Sequence, residues 1–149
     1  MTQKNLAVWL KILIIGVGIA IPLLATLLFP TGSGTARLYR MLFWCIAAIP
    51  PMLALVFSWQ IASGIAEDRS FSLRNALLLR RISVLAAIDG AYLTVGASVR
   101  FLFGADTVTY LLLSFTAAAV AVTLSIAFAA LSHLVRKAAA LQRESDLTV

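Results

Sequence analysis

Charge is what this sequence has least of. Only 12% of its 149 residues are Asp, Glu, Lys or Arg, where a soluble domain carries about a quarter. With 62% of positions hydrophobic and a mean hydropathy of +1.00, too little polar surface exists to cover the apolar mass in water. Disorder is excluded for the opposite reason, since disordered chains are charged and poor in aliphatics. Cysteine and histidine are almost missing too. Cys45 and His133 stand alone, which excludes an intrachain disulfide and leaves no thiolate–imidazole metal site. No H-E-x-x-H, G-x-S-x-G, P-loop or dinucleotide fingerprint occurs, so neither enzyme activity nor a cofactor is expected.

Long uncharged runs are what the chain has instead. Four apolar stretches are predicted to be spans, at about residues 6–29, 41–66, 82–103 and 107–133, followed by a tail over 134–149. Each exceeds the roughly 20 residues that cross a hydrocarbon core. Pro50-Pro51 predicts a bend in the second span and Pro22 a kink in the first, because proline removes a backbone donor and crowds the preceding turn. The first span outlasts the apolar region of a secretory leader, and no A-x-A site follows it, so it is expected to be retained.

The net charge of +6 lies between the apolar runs, which favours membrane orientation over direct nucleic-acid binding. An even number of spans puts both termini on one side. With them fall Lys4, Lys11, Arg69, Arg74, Arg80, Arg81, Arg136, Lys137 and Arg143, against Arg37, Arg40 and Arg100 on the other. Short loops follow the positive-inside rule, so the termini are expected to be cytoplasmic. The sequence therefore predicts an all-α, integral-membrane four-helix bundle of up-down topology, formed as a single domain. Small residues recur at every fourth position in three spans, as Ala54-Ser58-Ala62-Ala66, Ala86-Gly90-Thr94-Ser98 and Ala117-Ala121-Ser125-Ala129. Such stripes let helices approach closely, within one chain or between copies; a homo-oligomer stays open.

Asp89 is the candidate for chemistry, because an ionisable group inside a span is expensive unless paired or hydrated. Lys11, Gln60 and His133 fall near the same depth when each span is counted from its basic side. The four residues are expected to form an intramembrane polar layer. In one reading Asp89 pairs with Lys11 and fixes register; in the other the pair serves transport or efflux. Arg100, one turn from its helix end, reads as an anchor snorkelling to the interface, and Cys45 as a small packing residue. Between the second and third spans, Ser72 suits the N-cap of a helix starting at Leu73, with Phe71 as a hydrophobic staple. Arg74, Arg80 and Arg81 should meet anionic lipid headgroups there.

Two motifs carry a family resemblance. The segment Phe71-Ser72-Leu73-Arg74-Asn75 followed by Leu79-Arg80-Arg81-Ile82 has the form F-S-x-x-N with L-R-x-I, and the tail Glu144-Ser145-Asp146-Leu147-Thr148-Val149 has the form E-x-D-L-T-V/I. Together with four spans, these resemble the bacterial membrane family known as domain of unknown function 2975. The resemblance implies a small multi-pass protein of the bacterial cytoplasmic (inner) membrane with no assigned activity. It also implies a helix-turn-helix regulatory partner, since members are often encoded beside one. The expected role is a regulatory or interaction component that docks a cytoplasmic partner. Its docking surface is expected to combine Arg69, Phe71, Ser72, Arg74 and Asn75 with Glu144 and Asp146, the acidic tail latching onto the basic loop.

Overall fold

The computed structural model describes residues 3–28, 34–66 and 72–148 of the chain, and these are helical throughout except at short turns. Helix α1 spans Gln3–Leu28, α2 Thr35–Ala47, α3 Ile49–Ala66, α4 Leu73–Leu102 and α5 Val108–Leu147. Among the described residues four stretches are long and apolar enough to cross a membrane, with α2 and α3 together making the second, Arg37–Ala66.

The boundary between α2 and α3 falls at Ala48, just ahead of the two prolines. Pro50 and Pro51 occupy the first turn of α3, where backbone donors have no helical partner and proline is tolerated. They supply no N–H to the carbonyls of Ile46 and Ala47, so the helix stops there. The ladder is re-knit on either side, with Ala48 N–H donating to Trp44 (3.0 Å) and Met52 N–H to Ala48 (3.2 Å). Pro22 does not divide α1, which runs as one helix to Leu28.

At its far end α4 closes on Gly104, held at φ +67°. Gly104 N–H donates to Phe101 (3.0 Å) and Ala105 N–H to Arg100 (2.9 Å), the Schellman pattern that favours glycine at this position. Arg100 has a partner within the protein. Its guanidinium donates to Asp106 at 2.8 Å and lies 4.4 Å from the Phe43 ring centroid, with the two charged side chains 16% and 4% exposed.

The helices pack in a row. α4 and α5 share the most extensive interface; α3 packs on α4, and α1 on α3. Along the α4–α5 seam, small residues recur at every seventh position: Ala76, Ser83, Gly90 and Ala97 on α4, with Ala118, Ser125, Ser132 and Ala139 on α5. Ser132 Oγ donates to the Ala76 carbonyl at 2.7 Å. Ser83 and Ser125 exchange hydrogen bonds, each hydroxyl donating to the other's carbonyl at 2.8 Å. Gly90 lies so close to Ala118 and Val122 that a Cβ there would be 3.0 Å from Val122 Cγ2. The predicted four-residue stripes contribute Gly90, Ala121 and Ser125 to this seam, whereas Thr94 and Ser98 bond back to their own helix. Cys45 is exposed and not a packing residue.

Candidate functional site

Two groups of residues were expected to carry function. The first, the intramembrane layer, is not one layer. Lys11 Nζ lies 5.0 Å from the Trp59 ring centroid, because α1 packs chiefly on α3. Phe57 of α3 faces Arg81 of α4, so Lys11, Trp59 and the half-buried Gln60 stand close to the level of Arg80. His133 is exposed, next to the Ser132 that bonds Ala76. Asp89 is nine residues further along α4 than Arg80, about 14 Å deeper at 1.5 Å per residue. Among the described residues no ion pair joins Lys11 and Asp89; counting depth from span ends hid the offset, since α4 begins at Leu73 and not at Ile82. Asp89 Oδ1 is buried without a hydrogen-bond partner among the described residues.

The second group lies where α4 begins and α5 ends. Ser72 caps α4, its Oγ accepting the Asn75 N–H at 3.2 Å, which satisfies one of the donors a helix start leaves open. Asn75 is 3% exposed and its amide lies against α3. A Cβ on Gly64 would stand 3.2 Å from Asn75 Oδ1, so glycine makes room for that side chain. Both polar residues of the F-S-x-x-N pattern thus build the entry of α4. Arg74 is exposed beside them. Arg69 and Phe71 lie outside the described residues.

The tail is helix, not a frayed end. α5 continues to Leu147, for 40 residues in all, about 60 Å against a hydrocarbon core of about 30 Å. Its last turns run past the start of α4. Ala139 is 5% exposed, and an open cleft of about 220 Å³ is lined by Ser72, Leu73, Ala139, Gln142, Arg143 and Asp146. The two motif segments therefore meet. They do so by packing around Ala139, since among the described residues no ion pair ties Arg74 to Glu144 or Asp146. Glu144 is exposed, and its carbonyl accepts from Thr148 Oγ1 at 2.9 Å. Gln142 and Arg143 were missed by the sequence reading. Their position at i+3 and i+4 from Ala139 was the available signal, because those offsets share a helix face.

Four span-length apolar helices around a seam of small residues define a multi-pass helical membrane protein. The chain belongs to the family described as Protein of unknown function (DUF2975), whose model matches residues 6–149. No curated protein and no solved structure matches it.

Proposed function

We propose that this protein is a non-catalytic component of the bacterial inner membrane that docks a cytoplasmic partner, a small helix-turn-helix regulator, on the paired start of α4 and end of α5. In this reading the four spans alternate up and down with both termini in the cytoplasm. The contacts of successive helices agree with that alternation: Ala76 meets Ser132 and Ser83 meets Ser125, while Gly64 meets Asn75, so numbering ascends on one helix as it descends on the next. The basic residues then gather at the docking end.

One observation carries the reading. The two motif segments, 60 residues or more apart in sequence, line one cleft with both polar and apolar walls at the end of the bundle. The helical extension of α5 also carries Leu134 and Leu141, 60% and 59% exposed, on the face turned away from the cleft. Exposed leucines on a projecting helix suit a protein surface better than water. Transport through an Asp/Lys site has less support, because Asp89 and Lys11 are far apart in depth.

Truncation after Ala140 tests the proposal. It removes Gln142, Arg143 and Asp146 from the cleft but leaves Ala139, the first three spans and α5 from Val108 to Ala140. Insertion and thermal stability are expected to stay unchanged while co-purification of a co-expressed regulator is lost. Retention of the regulator by the truncated protein would overturn the docking surface.

A further inference from the structure

A second groove lies on the outer face of α3 and α4, separate from the docking cleft. It has a volume of about 480 Å³ and is lined by Phe57, Leu77, Arg80, Arg81, Val84 and Leu85. Leu77 and Val84 are 58% and 51% exposed. The Arg81 guanidinium lies 5.9 Å from the Phe57 ring centroid, across the groove from its own helix. Successive helix residues diverge by about 100°, so Arg80 and Arg81 flank the groove from two directions. Neither has a carboxylate partner among the described residues. Below them toward Asp89 the track is apolar, with Val84 and Leu85 followed by the exposed Ile88.

We propose that this groove holds one anionic phospholipid, with its phosphate between Arg80 and Arg81 and an acyl chain along Phe57, Val84 and Leu85. Two features select that occupant. Guanidinium groups present paired donors that match phosphate oxygens, and they do so best where bulk water is sparse. The wall continues as hydrocarbon-facing side chains for two turns from Arg81 to Ile88, which a free anion has no use for and a lipid tail fills. A second copy of the chain is disfavoured, because the same patch on both partners would bring four arginines together. Basic pockets between spans near the headgroup level are suited to anionic lipids on general grounds. The inference stands apart from the docking proposal, since truncating the tail leaves this groove whole.

Native mass spectrometry of the full chain, released from nanodiscs of phosphatidylcholine with a minor fraction of phosphatidylglycerol, tests it. One phosphatidylglycerol is expected to remain after phosphatidylcholine has been stripped. Arg80→Gln with Arg81→Gln should reduce its retention at least about tenfold, in line with loss of charge-assisted hydrogen bonds. Arg136→Gln should not change it. Val84→Trp, which fills the groove and leaves both charges, should also release the lipid; Leu77→Trp on the neighbouring wall provides a second filling variant should the first fail to fold. Millimolar inorganic phosphate should not displace the lipid. Equal retention of the two lipids, displacement by phosphate, or full retention in a folded groove-filling variant would each overturn the proposal.

Discussion

Asp89 and Lys11 show how far one side chain's setting depends on which helix its own helix touches. Lys11 has its ammonium near the Trp59 ring, an arrangement that attracts a cation to an aromatic face. Asp89 stands about 14 Å deeper and keeps a buried, unbonded oxygen. Independent sites combine additively to within about 0.5 kcal/mol, whereas contacting residues do not. Lys11→Met and Asp89→Leu are therefore expected to be additive in a double-mutant cycle read by unfolding in detergent. A coupling energy above about 1 kcal/mol would mean that the two side chains meet after all. Asp89→Leu alone is expected to raise stability, because it removes from a span a carboxylate that has no ion-pair partner among the described residues.

At the level of whole helices, glycine decides where elements may touch. Gly96 of α4 lies against the Phe43 ring of α2, and a Cβ there would collide with that ring. Phe43 has little room to retreat: it is 7% exposed, stacked on Tyr92 at 5.0 Å and covered by Arg100. Gly96→Ala should accordingly destabilise the protein by about 1–3 kcal/mol, the usual cost of overpacking. Gly16 of α1 has nothing within 4 Å of its would-be Cβ. There the same substitution should be neutral or stabilising by up to about 1 kcal/mol, through helix propensity alone. Thermal unfolding of the two variants side by side gives the comparison; equal losses would contradict the packing described. Local chemistry was readable from sequence where it acts within one turn. Ser72 was recognisable as a cap, and Pro50-Pro51 as the place of a bend, where the helix is in fact divided at Ala48, because each works on its own backbone. The seven-residue seam of α4 and α5 was not, because a stripe in one helix does not say which helix faces it. The partner of Arg100 was hidden for the same reason: Asp106 lies beyond a turn whose closure depends on Gly104.

For the molecule as a whole, orientation is the first thing to measure. Reporters inserted after Gly34 and in the Gly104-Ala105 turn are expected to be external, and a C-terminal fusion internal. The nine-to-three division of basic residues predicts this, and an external C-terminus would refute the proposed topology. The four spans were legible from apolar run length alone, since crossing a bilayer sets a minimum that composition displays directly. Their order of packing was not, and it is this order that separates Lys11 from Asp89 and brings Ser72 to Arg143.

That order has a consequence for how the protein is made. The widest interface joins α4 to α5, and α5 leaves the ribosome after α4. While the nascent chain ends in α4, the shallow trough at Ala76, Ser83 and Gly90 faces acyl chains too thick to fill it, and the Ser83 hydroxyl has no Ser125 to meet. Arrival of α5 closes the trough and supplies both hydroxyl contacts in a single step. A message interrupted before that point yields a polypeptide whose α4 trough stays open and whose Ser83 hydroxyl lacks the carbonyl that α5 would bring.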